Sequence, residues 1–164
     1  MLKAKVTEKM IDCCNGNLND ISHFLKVHSY ARTIAVLESV TPKVLLTIEL
    51  AAIVHDIACP LCREKYGNAA GNLQELESPA LLSHFFNEFE IDDDIEQRII
   101  WLVSHHHTYT DVDSIDHQIL LEADFLVNAE KHSDSRESII DFRSKVFKTE
   151  SGKKLLESIH LNDK

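Results

Sequence analysis

The segment VLLTIELAAIVHDI, from Val44 to Ile57, ends a strongly apolar helical stretch on a histidine and an aspartate. A stretch this apolar predicts a buried helix. Burying an imidazole and a carboxylate at its end costs free energy unless both groups have strong partners. Since histidine and aspartate are ordinary ligands of divalent cations, His55 and Asp56 point to a metal ion. Further ligands are then expected on the apolar faces of other helices.

Two more polar residues fall on such faces. Asp124 lies at helical spacing among Leu120, Leu121 and Val127. His28 is predicted to be buried because apolar residues flank it at helical spacing, namely Ile21, Phe24, Leu25, Ala31 and Ala35. Either residue taken alone could instead be satisfied by a buried hydrogen bond. Their combination with the His-Asp pair favours a metal site.

The order His28, then His55 and Asp56, then Asp124 resembles the HD-domain superfamily of metal-dependent phosphohydrolases. A finer similarity, to small bacterial HD-domain proteins, rests on five short motifs: HDIACP (55–60), KYG (65–67), QELESP (74–79), HHHT (105–108) and LLEADFLVN (120–128). The resemblance implies an all-α helical bundle forming a single HD-type domain over residues 1–164. Within it, residues 20–131 would form the metal-site core and residues 132–164 a helical buttress.

The resemblance also implies a second metal ion. Glu77 stands where relatives with two ions place the first extra histidine, and a carboxylate there would favour Fe or Mn, with Mg, Ni, Co or Zn as other possibilities. The second extra ligand would come from His105, His106 or His107. His106 is the first choice because it continues an apolar stripe, and His107 is the second. In the alternative interpretation, the histidine run is a solvated helix end and Glu77 binds a water or pairs with a nearby base, which would leave one divalent ion rather than two.

The function implied is hydrolysis of a phosphate ester of a small metabolite or nucleotide by metal-activated water. Asp56 would bridge the ions and serve as the catalytic residue, because it could take or relay a proton. Arg32, His107 and Lys131 are candidate substrate contacts, although Arg32 and Lys131 could equally be solvated surface charges. Two other functions remain open: an HD-type di-iron oxygenase, and a non-catalytic module that binds a metal or a nucleotide.

Composition narrows the possible partners. The chain has 164 residues, is 44% hydrophobic and carries a formal net charge of −10, which disfavours binding to duplex nucleic acid through a broad basic face. The N-terminus has no signal-peptide pattern and no uninterrupted apolar run approaches transmembrane length, so a cytoplasmic protein with no membrane partner is expected. The four cysteines, including Cys59 and Cys62 in a C-x-x-C, are expected to be free thiols.

The rest of the chain also predicts helices. Thr41 as N-cap and Pro42 at the first position are expected to open the central helix. Residues 58–73 are predicted to form a loop, with one short turn near Arg63, that could cover the substrate as a lid. Other helices are predicted near residues 6–14, 21–39, 75–89, 92–107, 115–131, 134–146 and 150–159. Four histidines are interpreted as surface residues: His23, His117, His132 and His160.

Overall fold

The chain is all-helical, as predicted. In the computed structural model, which describes residues 1–132 and 134–162, that part of the chain forms α-helices and one π-helical turn, with no strand. The helices are α1 (Leu2–Cys13), α2 (Leu18–Leu37), α3 (Pro42–Val54), α4 (Cys59–Tyr66), α5 (Gly71–Phe86), α6 (Asp93–Val103), α7 (Ile115–His132), α8 (Arg136–Val146) and α9 (Glu150–Leu156), followed by the π-helical turn Glu157–Leu161.

Helix α3 is the centre of the bundle. Every residue from Thr47 to Val54 is buried, as its continuous apolar sequence predicts. Helices α1, α2, α6 and α7 pack against it. Because the core surrounds α3 on several sides, the polar residues that end this helix are also enclosed by protein.

The start of α3 follows the predicted capping pattern. The Thr41 hydroxyl oxygen accepts a hydrogen bond from the Val44 amide at 3.4 Å, and Pro42 occupies the first turn. At the next helix along the chain, α4, Gly67 adopts a left-handed conformation with φ of 75° and ends the helix. A residue with a Cβ atom is strained in that conformation, so glycine suits this position.

The predicted loop over residues 58–73 is wrong. Helix α4 occupies Cys59–Tyr66 and α5 begins at Gly71, which leaves only a short connection between them. Pro60 lies in the first turn of α4, where its missing amide hydrogen is no loss to the helix. The segment therefore cannot act as the long flexible lid that its Gly, Asn and Ala content suggested.

Helices α3 and α4 together are apolar enough to resemble a membrane span. By length and hydropathy alone, Pro42–Tyr66 could cross a bilayer, but 67% of its apolar window is buried within the domain. The core helix of a globular domain can be as long and as apolar as a membrane span. The burial of this segment is typical of such a core helix.

Two of the four histidines interpreted as surface residues are in fact buried: His23 is 6% and His117 is 1% exposed. His160 is half-buried, with its Nε2 atom 2.9 Å from the Leu126 carbonyl oxygen. The side chain of His132 lies outside the described part of the chain, as do Ser133, Asp163 and Lys164 within the predicted buttress. All four cysteines are free, as predicted.

Candidate metal centre

His55 is held in the orientation that a metal ligand needs. It follows α3 directly, is fully buried, and its Nδ1 atom lies 2.8 Å from the Ala52 carbonyl oxygen. A carbonyl oxygen can only accept, so Nδ1 carries the proton and Nε2 presents a lone pair. Backbone contacts of this kind fix the ring and tautomer of metal-binding histidines.

His23, His55, Asp56 and Asp124 form a first group around this lone pair. The Nε2 atoms of His23 and His55 are 3.1 Å apart. His23 Nε2 lies 3.3 Å from Asp56 Oδ2 and 3.2 Å from Asp124 Oδ1. Ligand atoms about 2.1 Å from one ion, at angles between octahedral and tetrahedral, are about 3.0–3.4 Å apart. The three distances from His23 Nε2 fall in this range, and those from His55 Nε2 to Asp124 Oδ1 and Asp56 Oδ2, 3.5 Å and 3.7 Å, lie slightly above it. The four donor atoms therefore face one common position for a small cation.

A second group shares Asp56 with the first. Asp56, His106 and His107 present donor atoms within 4.8 Å of one another. His106 is fully buried, its Nδ1 donates to the Val103 carbonyl oxygen at 2.6 Å, and its Nε2 lies 3.7 Å from Asp56 Oδ1. Since Oδ2 of Asp56 faces the first group and Oδ1 faces the second, this carboxylate has the geometry of a bridge.

The ionisable groups of the centre shift one another's pKa. Burial opposes the charged form of His55, but the nearby carboxylates of Asp56 and Asp124 favour it and raise its pKa above the ordinary value. Burial opposes the charge of His23 too, and its contact with Asp124 likewise raises its pKa. The histidines in turn hold the pKa of Asp56 and of Asp124 well below the usual range, despite burial. Both carboxylates are therefore anions at neutral pH.

Several donor atoms in the centre are buried without a hydrogen-bond partner. They are His106 Nε2, His107 Nε2 and Asp124 Oδ1. A buried polar atom left without a partner is costly, and such an atom calls for an explanation such as an ion. His106 Nε2 presents a lone pair because its Nδ1 donates to Val103, and Asp124 Oδ1 is an anionic oxygen, so the residues present fit divalent cations.

The structure does not bring His28 to this centre, and the expectation that it completes the first group is corrected to His23. His28 Nε2 lies 3.5 Å from Glu49 Oε1 instead. The buried face of α2 runs through His23, Val27 and Ala31, whereas Leu25, on the side used to place His28 inside, is 40% exposed. His23 precedes Val27 by four residues and Ala31 by eight, but His28 also lies at helical spacing from Phe24 and Ala31, so spacing alone does not separate the two histidines.

Glu77 is also absent from both groups. Its carboxylate accepts hydrogen bonds from the Lys65 ammonium, at 2.7 Å, and from the Tyr66 hydroxyl. This contact with a nearby base is the alternative that the sequence left open. Arg32 does not reach the centre either, since its guanidinium donates to Glu49 at 2.6 Å.

The remaining candidate residues lie around the two groups rather than within them. Of the three neighbouring histidines, His105 stacks on Trp101 with ring centroids 4.2 Å apart and belongs to neither group. Lys131 is exposed and lines a cleft that reaches His23. Asn128, whose amide donates to Asp124 Oδ2 at 2.9 Å, is a supporting residue that was not among the predicted site residues.

No protein-family model and no curated protein matches the sequence. Among solved structures, the chain is similar to a predicted HD superfamily hydrolase from an uncultured Thermotogales bacterium, with a TM-score of 0.62 and 22% sequence identity over 96% of this chain and 84% of that chain. This chain has the HD-domain fold. In that fold, His55 and Asp56 are the His-Asp pair from which the resemblance started, and His23 on α2 and Asp124 on α7 converge on it.

Proposed function

We propose that this HD-domain protein is a metal-dependent phosphohydrolase acting on a phosphate ester of a small metabolite or nucleotide. The observation that supports this most strongly is the position of Asp56 between two histidine groups. One carboxylate shared by two groups of donors, one with two imidazoles and the Asp124 carboxylate and the other with two imidazoles, is the arrangement needed for a pair of divalent cations. A pair of cations suits phosphoryl transfer because it neutralises charge on both the attacking and the leaving oxygen.

His23, His55 and Asp124 would hold the first ion, His106 and His107 the second, and Asp56 both. Divalent cations bound there would supply Lewis acidity toward a phosphoryl group and toward water. Asn128 keeps the Asp124 carboxylate oriented through its hydrogen bond to Oδ2. With Glu77 outside the centre, the preference for Fe or Mn loses its main argument, and the imidazole-rich donor set also suits Zn, Co or Ni.

His107 is suited to a second role. Burial, with a further contribution from His106, lowers its pKa to about 4, so its imidazole is neutral at neutral pH. Its Nε2 atom is buried without a partner. A neutral imidazole in this position can bind an ion or, when it is not a ligand, accept a hydrogen bond or a proton from substrate or water.

The substrate would enter through a cleft between α2 and α7. This cleft has a volume of about 270 Å³ and its lining includes Asn19, Ser22, His23, Lys26, Glu130 and Lys131. Lys26 pairs with Glu130 at 3.1 Å, whereas no ion pair is found for Lys131 among the described residues. We propose that Lys131 binds a phosphate oxygen at the mouth of the cleft. A compact phosphate ester suits this protein better than a long polyanion, given the net charge of −10.

The test is phosphate release from a panel of nucleotides and sugar phosphates by the chain loaded with Mn, Co, Ni, Zn or Mg. We expect the native chain to release phosphate from at least one substrate and Asp56→Ala to release none. Lys131→Ala should raise KM about tenfold or more, as expected for loss of one charged contact. Glu77→Gln is the matched control because its carboxylate lies outside both groups. No release from any substrate, together with oxygen uptake by the iron-loaded chain, would contradict the proposal in favour of an oxygenase.

A further inference from the structure

Helix α5 contacts His107 through two residues that lie one helical turn apart. A Cβ atom built on Gly71 would lie 2.6 Å from Cγ and 2.8 Å from Cδ2 of the His107 ring. Glu75 accepts a hydrogen bond from the His107 backbone amide at 3.0 Å and another from the Thr108 hydroxyl at 3.1 Å. Gly71 therefore leaves room for the ring, and Glu75 fixes the backbone that carries it.

His107 depends on this helix more than His106 does. The His106 ring is oriented from its own chain segment, through the hydrogen bond from Nδ1 to the Val103 carbonyl oxygen. His107 follows the end of α6, in a turn where the backbone is no longer held by the helix, and its Nε2 has no protein partner. A backbone amide in such a turn must find an acceptor elsewhere, and Glu75 is that acceptor.

We infer that Gly71 and Glu75 are positioning residues for the second metal ion. They place the His107 imidazole beside Asp56 and His106 without touching the ion or the substrate. The inference rests on the two-ion centre of the proposed function and adds to it the element that builds the second site. The first ion, between α2, α3 and α7, does not depend on α5.

Titration of the chain with Co²⁺ alone, by calorimetry and by visible absorption, tests this without any substrate. We expect two ions in the native chain. Glu75→Ala should weaken the second by about 10- to 100-fold, as is typical when a supporting contact of a ligand is lost, and leave the first unchanged. Glu75→Gln keeps an oxygen that can accept from the amide and should recover most of the affinity. Gly71→Ala should weaken the second ion because its methyl group displaces the ring.

Glu77→Gln, on the same helix but paired with Lys65, should bind both ions as the native chain does. Circular dichroism checks that each variant is folded. If Glu75→Ala does not fold, the metal affinities of Glu75→Gln and Gly71→Ala still test the inference. The inference is overturned if the native chain binds one ion, or if folded Glu75→Ala and Gly71→Ala bind both as tightly as the native chain. Two-ion binding with the expected losses, but no phosphate release, would contradict only the proposed function.

Discussion

At the scale of single residues, Asp56 carries the largest share of the candidate chemistry. Its two oxygens face different histidine groups. The surrounding imidazoles keep its pKa low against the effect of burial. An ionised carboxylate in this position balances the positive charge of bound cations in a region that excludes water, where electrostatic interactions are strong.

His23 and His28 offer a direct comparison of two histidines on one helix. Because His23 Nε2 lies among the donor atoms of the first group, we expect His23→Ala to weaken the first ion by at least about 100-fold, beyond the loss for an outer contact. His28→Ala should bind both ions with native affinity, since its ring faces Glu49. Calorimetric titration with Zn²⁺ or Co²⁺ measures both. Native affinity in His23→Ala would remove His23 from the ligand set.

The same pair shows how far the sequence alone could identify the site. The positions of His55, Asp56, His106 and Asp124 follow from apolar helical stripes, and the structure brings these four together. The choice between His23 and His28 depends on the rotation of α2 against α3 and α7, since both residues border its apolar face. That rotation is a property of packing between helices, which a pattern within one helix does not determine.

At the scale of elements, Glu49 joins the first three helices. Its carboxylate is 2% exposed and accepts from Lys3 on α1, at 2.8 Å, and from Arg32 on α2, at 2.6 Å. Burial opposes its charge, but these two bases lower its pKa below the ordinary value. The residues that surround His28 therefore form a structural ion cluster, apart from the candidate metal centre.

Glu49→Gln should lower the free energy of unfolding by about 1–3 kcal/mol at pH 7, because the negative charge that strengthens its hydrogen bonds from Lys3 and Arg32 is lost while both bases remain partly exposed. A carboxyl with a depressed folded-state pKa stabilises the fold above its unfolded pKa and loses that effect as the pH falls toward the folded value. The stability deficit of Glu49→Gln relative to the native chain should therefore shrink below about pH 4.5.

Urea unfolding of both proteins at pH 7 and pH 3.5 measures this deficit. Glu8→Gln, at an exposed position on α1, should show neither effect, and a deficit independent of pH would contradict the assignment.

Element boundaries were predictable where local chemistry decides them. Thr41 and Pro42 begin α3 as the capping pattern indicates. The segment after Asp56 was misinterpreted because its Pro, Gly and Asn residues suggested a loop, although Pro60 is compatible with a first helical turn. Helix α4 is short, and buried residues at Cys59 and Cys62 attach it to the core. Helices of this length depend on tertiary contacts, which a local pattern does not contain.

At the scale of the whole molecule, the candidate metal centre is where four helices meet. The donors follow or lie on α2, α3, α6 and α7, so any ion bound there links these helices directly. Only the folded chain assembles these donors, so ion binding should favour the folded state over the unfolded one.

We therefore expect bound metal to raise the melting temperature. A ligand present at 100 times its Kd adds about 2.7 kcal/mol, which corresponds to roughly 5–10 °C for a domain of this size. Thermal unfolding of the chelator-treated chain, with and without added Zn²⁺ or Mn²⁺, measures the shift. Asp56→Ala, which loses the carboxylate shared by both groups, should show little of it. An equal shift in that variant would indicate that the stabilising ion binds elsewhere.

The spread of the donors along the chain also has a consequence for biosynthesis. His23 leaves the ribosome well before Asp124, because helices α3 to α6 lie between α2 and α7 in the chain. A nascent chain therefore cannot assemble the complete first group until translation has passed α7 and the helices have docked. Complete coordination of an ion by the first group therefore requires the long-range contacts between α2, α3 and α7, which form late in the folding of a chain.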